Sequence, residues 1–194
     1  MRGPGMLGLP RNVCVGVLVC FVLVGVLGAA APAQAVLPSR RTWLGDVRQA
    51  MSGAQTYVER RAARGGRHLA VNLDIDNTAL ATHYDRGEPV GPVLRFAERA
   101  RALGVVQLFN TGRLRGNERL ARARRLLTSA GYHVAAICGR RHGEAVAHSK
   151  QRCRRHFAHE GYVLVANVGN RRTDFVGGGY ERAFRLPSYG GRLG

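Results

Sequence analysis

Lysine is almost missing from this sequence: of thirty basic side chains, twenty-nine are arginine and only Lys150 is lysine. Acidic residues are scarce as well, twelve in 194, and the formal net charge is +18. Charge of that sign attracts phosphates, nucleic acid and anionic surface polymers. The basic pairs are scattered, however, at Arg60-Arg61, Arg124-Arg125, Arg140-Arg141, Arg154-Arg155 and Arg171-Arg172, with no aromatic residues interleaved. That pattern argues against a dedicated nucleic-acid stripe, and no specific nucleic-acid partner is expected. Arginine in place of lysine, beside abundant Ala, Gly and Val, is the composition that a GC-rich genome produces. Beyond residue 35 there is no internal sequence repeat, no linker and no low-complexity tract.

Long apolar runs are confined to the beginning. Arg2 and Arg11 precede an unbroken apolar stretch from Val13 to Ala31 that ends in Ala33-Gln34-Ala35, which is the layout of a secretory signal peptide cleaved after Ala35. An uncleaved membrane anchor is the rival, because the run approaches the roughly 20 residues that span a bilayer; the small-residue motif favours cleavage. A lipoprotein signal is disfavoured, since Val19 stands before Cys20 where a small residue is needed. The expectation is residues 1–35 as signal and 36–194 as one domain, secreted to the exterior or cell wall, without a membrane contact once cleaved. That domain carries a net charge of +16. Cysteine is sparse too: four in all, two of them in the leader, leaving Cys138 and Cys153 either as one disulfide or as two thiols.

The remainder alternates two periodicities. Leu44, Val47, Met51, Ala54 and Val58 recur at helical spacing until Gly65-Gly66, which predicts one opening helix. A unit then repeats in which an amphipathic helix ends at a glycine and an apolar strand follows. Val93, Phe96, Ala97 and Ala100 lead to Gly104 and a strand at 105–109; Leu120, Ala123 and Leu127 lead to Gly131 and a strand at 132–138; a helix from about Lys150 to Glu160 leads to Gly161 and a strand at 162–168. The glycines stand where a left-handed cap is wanted, and the strands are continuously apolar, as parallel strands covered on both faces are. The expected fold is therefore α/β, a Rossmann-like three-layer sandwich around a parallel sheet.

Polar residues collect where these strands end. The first strand, 69–73, delivers Asp74-Ile75-Asp76-Asn77-Thr78, and open α/β sheets bind ligands at the carboxyl ends of their strands. Two carboxylates facing one crevice repel each other unless a cation or a proton is shared, and Mg²⁺ suits carboxylates that act together with a phosphate. The next strand ends in Phe109-Asn110-Thr111-Gly112-Arg113, which brings out a hydroxyl, backbone amides and a guanidinium, all phosphate-binding groups. Lys150 stands out because composition alone favours arginine there; its site asks for a compact ammonium rather than a planar fork. The last strand leads into Asn167-Val168-Gly169-Asn170-Arg171-Arg172-Thr173-Asp174, where Asp174 is a candidate metal ligand or a partner of Lys150.

Taken in order, the runs VNLDIDNTALATH, FNTGR, the lone Lys150 and ANVGNRRTDFVGG resemble the four signature motifs of the haloacid-dehalogenase (HAD) superfamily. More narrowly they resemble its subfamily IIIB secreted acid phosphatases, the group with bacterial class B-type enzymes and plant vegetative storage proteins. The resemblance implies that Asp74 attacks phosphorus to form an aspartyl-phosphate and that Asp76 serves as acid and then base, with Thr111 and Lys150 completing the catalytic set. It implies substrate contacts from Asn77, Thr78, Gly112 and Arg113, and Mg²⁺ held by Asp74, Asp76 and either Asn170 or Asp174. The chain departs from the pattern at Asn170, where the family usually has an acidic residue. The 32 residues from Ala79 to Asn110 leave no room for a large cap domain, so an open site for small phosphate monoesters, nucleotide or sugar phosphates among them, is expected, and an oligomer is compatible with it. The alternative is a relative of the storage or anion-binding kind with weak or no activity.

Overall fold

The computed structural model describes residues 36–193, so the expected signal peptide lies outside the described residues. The elements are α1 (Arg40–Ala50), α2 (Ala54–Ala63), β1 (Leu69–Leu73), α3 (Gly91–Ala102), β2 (Val106–Leu114), α4 (Asn117–Ser129), β3 (Ala136–Arg140), α5 (Val146–His159), β4 (Val163–Gly169) and β5 (Arg182–Arg185). All strands are parallel, in the order β3-β2-β1-β4-β5. The α/β sandwich expected from the sequence is present. Gly104, Gly131 and Gly161 end α3, α4 and α5 with φ of +75°, +95° and +88°, the left-handed caps that the pattern called for.

Three departures have local causes. The single opening helix is two, because Gly53 takes φ +72° between α1 and α2 and so breaks the run that its apolar spacing suggests. A fifth strand, β5, pairs with β4 through Ala166↔Arg182 to Gly169↔Arg185; its four residues, two arginines flanking Ala183 and Phe184, are too short a run to register as a period. The α5 helix begins at Val146, so that Lys150 lies inside it instead of opening it.

Topology decides where α5 packs. The chain steps from β1 to β2 to β3 in one direction and then returns past β1 to β4. Because parallel crossovers are right-handed, reversing direction sends the connecting helix to the opposite face. The cores reflect this: Val71, Leu73, Phe109 and Val165 join Val58, Phe96, Ala97 and Leu127 from α2, α3 and α4. On the other face Ala70, Leu108 and Leu164 pack with Cys153 and Phe157 of α5. The strand order reverses beside β1, and the crevice at that point is where such sheets take ligands.

Between β1 and α3 the chain forms a compact loop that carries only the isolated bridges Asp76–Leu80 and Leu80–Pro89, so no cap domain is inserted there. Tyr84 ties that loop to α1 and the segment before it, stacking on buried Trp43 at 4.8 Å and donating to Pro38 O at 2.8 Å.

Cys138 and Cys153 are joined in a disulfide that fastens β3 to α5. Closing a loop of 15 residues removes chain entropy from the unfolded state. Replacing both cysteines by serine is expected to lower unfolding free energy by about 2–4 kcal/mol, measured by urea titration, with little change in far-UV circular dichroism.

Candidate active site

The site grows from the carboxyl ends of β1, β2 and β4 and from the first turns of α5. Asp74 follows β1 directly, and its N–H donates to Val168 O of β4 at 2.9 Å, which fixes the turn. Lys150 reaches the same place from the opposite face of the sheet. Its ammonium donates to Asp74 Oδ1 and to Asn110 O, the latter at 2.6 Å, and lies 2.7 Å from Asp174 Oδ1. Asn110 returns a bond from Nδ2 to Lys150 O at 2.8 Å, so strand and helix hold each other reciprocally. Lys150, Asp74 and Asp174 are all buried.

Burial pushes the Asp74 carboxyl up to about 6, with Asp174 and Asp76 adding to the rise and Lys150 opposing it. Burial also works against the charge of Lys150, but its two carboxylate partners outweigh this and hold the ammonium above its ordinary range. Asp174 is positioned on both sides. Its Oδ2 accepts from Arg171 N at 2.8 Å, and Arg154, itself buried on α5, donates to Asp174 O at 2.6 Å and to Gly178 O at 2.7 Å. Gly169 makes room for this packing, since a Cβ there would stand 2.6 Å from Asp174 Cβ and Cγ.

These groups open onto a cavity of about 310 Å³. Asp74, Asp76, Lys150 and Asp174 line it, with Gly112 and Arg113 on one side and Val146, Arg171 and Thr173 completing the wall. Arg113 grips Asp76 with both prongs, Nε to Oδ2 at 2.9 Å and Nη2 to Oδ1 at 2.6 Å, the fork geometry that arginine gives to carboxylates.

Not every expected residue arrives there. Asn77 is buried with φ +52°, accepts from His83 N at 2.8 Å and donates to Leu193 O at 3.3 Å; it shapes the loop and does not line the cavity. Thr78 is fully buried and likewise absent from the wall. Thr111 is buried beneath it, its Oγ1 accepting from Arg113 N at 3.1 Å, while the adjacent Gly112 forms the surface. His83 packs edge-on against Tyr84 and lies off the cavity. Arg171 and Thr173 were missed as lining residues; the signal was their place in the glycine-containing loop after β4, but nothing local shows which side chains of that loop turn inward.

Oxygen donors suited to a hard cation are present. No group of three His, Cys, Asp or Glu side chains arranged for a metal occurs among the described residues, so binding rests on a mixed set. Asp174 is committed to Lys150 and to Arg171 N. Asn170 instead donates by Nδ2 to Leu193 O at 3.0 Å, which leaves its Oδ1 without a protein donor among the described residues. Asp74, with Oδ2 not held by Lys150, and Asp76 line the cavity, whereas Asn170 does not; their oxygens are of the kind Mg²⁺ accepts.

A lysine buried between two aspartates at the switch point of a parallel sheet, with arginines around an open cavity, defines an α/β protein built to handle phosphoryl groups. The chain belongs to the HAD superfamily, subfamily IIIB (acid phosphatase), whose family model matches residues 82–192. It is thereby a phosphoric monoester hydrolase by family. The match begins within the β1–α3 loop and does not include Asp74 and Asp76. Among solved structures, the class C acid phosphatase from Bacillus anthracis is similar in fold, with a TM-score of 0.62 at 15% sequence identity over 78% of this chain and 80% of that one. No curated protein matches the sequence.

Two outcomes test this geometry. Gly169→Ala is expected to displace Asp174 and cost about 1–3 kcal/mol in thermal or urea unfolding. The raised Asp74 carboxyl means the folded state binds its proton more tightly than the unfolded state does. Its ionisation therefore destabilises the fold as pH rises from the unfolded value near 4 through about 6. In chelator, the stability of Asp74→Asn relative to wild type should climb over that window, by about 1–3 kcal/mol in total, and level off above it.

Proposed function

We propose that this chain is a secreted, Mg²⁺-dependent acid phosphatase that hydrolyses small phosphate monoesters through an aspartyl-phosphate at Asp74. The observation that carries the reading is Lys150: the only lysine of the chain is buried against Asp74 and Asp174 at the switch point of the sheet.

Lys150 occupies one oxygen of Asp74 and orients the carboxylate, leaving Oδ2 as the attacking atom. Attack on phosphorus forms the Asp74 Oδ2–P bond and breaks the ester P–O bond. Asp76 supplies the proton that the leaving alkoxide takes. Both Asp76 oxygens are held by Arg113 in the free site, so this step requires release, and an incoming phosphate offers Arg113 an alternative bidentate partner. Asp76 then draws a proton from water, whose oxygen attacks phosphorus, returning Asp74 as carboxylate and releasing inorganic phosphate. The covalent step divides one difficult displacement into two easier ones. Throughout, Lys150 and the backbone N–H groups around Gly112 oppose the negative charge that builds on the phosphoryl oxygens.

Mg²⁺ would be held by Asp74, the Asp76 carbonyl and Asn170, and when bound it supplies charge neutralisation at the phosphoryl oxygens. Asn170 contributes a neutral oxygen where a carboxylate would add charge, which predicts weaker metal affinity than an all-carboxylate set. Export is supported by the apolar leader and by the Cys138–Cys153 disulfide, since such bonds persist in oxidising compartments. The open cavity, without a cap, suits exposed monoesters of varied leaving group, nucleotide or sugar phosphates included.

Hydrolysis of p-nitrophenyl phosphate by the purified chain, with Mg²⁺ and with chelator, tests the reading. Turnover should depend on metal and fall at least about 10³-fold in Asp74→Asn, as losing a covalent nucleophile does. Absence of turnover in the wild type from acid to neutral pH would sink the enzyme reading in favour of an inactive relative.

A further inference from the structure

The cavity has three cationic side chains in its wall, and two of them are spoken for. Lys150 is shared between Asp74 and Asp174. Arg113 is locked bidentate on Asp76. Arg171 differs: its main-chain N–H is anchored on Asp174 Oδ2 at 2.8 Å, yet its guanidinium meets no carboxylate and donates no hydrogen bond among the described residues. It is half-buried, so its charge is only partly screened by water. The preceding residue, Asn170, is a neutral amide whose Nδ2 donates to Leu193 O at 3.0 Å.

A second observation points the same way. Thr173, two residues on, lines the same cavity with a buried Oγ1 that has no hydrogen-bond partner. A buried hydroxyl without a partner costs free energy, and the residue that carries it lines the space where a ligand would sit. Beside carboxylates already engaged by Lys150 and Arg113, an unpaired guanidinium and an unpartnered hydroxyl on one wall offer N–H and O–H donors. Their complement is an oxyanion with several acceptor oxygens, and a phosphate dianion fits it.

We propose that the Arg171–Thr173 wall is the substrate-phosphate contact of this chain, with Arg171 supplying the charge-assisted bond and Thr173 a hydroxyl bond to the same group. The proposal rests on the phosphatase reading of the cavity for its substrate, though not for the anion site itself. It makes initial capture of the anion the task of the one cation on the wall that is not already neutralised, while Lys150 stays committed to the nucleophile. It also gives the asparagine at 170 a consequence: the neutral side chain keeps Arg171 free.

The test uses the chain with chelator present and inorganic phosphate as probe, read as the phosphate-dependent shift in unfolding midpoint and by calorimetric titration. Arg171→Gln should weaken phosphate binding roughly 10- to 100-fold, the worth of one hydrogen bond to a charged group, and Thr173→Val by roughly 3- to 10-fold. Arg171→Lys should recover part of the loss, because it restores charge without the fork. Arg172→Gln, which removes the same charge at an exposed neighbour off the cavity wall, should bind as wild type does. In turnover with Mg²⁺, Arg171→Gln should raise KM for p-nitrophenyl phosphate by the same factor with a smaller change in kcat. Equal binding by Arg171→Gln and wild type, an equal loss in Arg172→Gln, or no phosphate binding by wild type would each overturn the proposal. A wild type that binds phosphate through Arg171 but never turns over would sink the reaction and leave this contact standing; normal turnover in Arg171→Gln would do the reverse.

Discussion

The structure depends on one buried ammonium placed between two buried carboxylates. Removing Lys150, Asp74 and Asp174 from water carries a desolvation cost of several kcal/mol per ion that only close, well-directed contacts offset. Much of the surrounding architecture supplies those contacts. Asn110 and Lys150 exchange hydrogen bonds between β2 and α5, the disulfide fixes α5 to β3 three residues beyond Lys150, and Arg154 secures the main chain at Asp174 from the next turn of the same helix. Gly169 clears the space in which Asp174 sits. A lysine fits this position because three rotatable donors on a compact head can serve two carboxylates and a carbonyl at once, which a planar guanidinium does with difficulty.

The same constraint explains why the helix bearing Lys150 is the one on the opposite face. A chain that winds β1, β2 and β3 in one direction and then reverses must cross beneath the sheet to reach β4. The crossing helix therefore begins below the crevice in which Asp74 lies, and its early residues are the ones that can meet that carboxylate from behind. Access for substrate is left on the outer side, where Gly112, Arg113, Arg171 and Thr173 form the wall.

Charge in the cavity is apportioned pairwise. Arg113 answers Asp76 and Lys150 is shared by Asp74 and Asp174, so the three cations and three carboxylates of the wall balance, and Arg171 is the cation without a side-chain partner among the described residues. Asn170 belongs to this balance: a carboxylate there would favour a cation in the site and would also compete for Arg171, whereas the amide does neither strongly. The abundance of arginine that looks like compositional drift in the sequence thus contains members with distinct local settings: Arg113 on Asp76, Arg154 beneath Asp174, and Arg171 on the cavity wall.

Much of this was legible before the fold was known. Apolar strands each following a glycine-capped helix specify a parallel α/β sheet, because only strands covered on both faces read that way. The solitary Lys150 among arginines and the order of Asp74, Thr111, Lys150 and Asp174 marked the edge where chemistry is possible. Partners were not legible. That Arg113 takes Asp76, that Asn77 and Thr78 turn into the loop's own hydrogen bonding and core, that Cys138 meets Cys153, and that Arg171 meets no carboxylate are all outcomes of distances between segments far apart in sequence. So are the short β5, too brief for a period, and the break at Gly53, where apolar spacing ran on through a turn. Sequence determined which apolar faces are buried and which strand ends carry polar groups, since burial of apolar residues follows local periodicity. Tertiary structure alone decided which charge neutralises which, because electrostatic pairing is set by separation and burial in space.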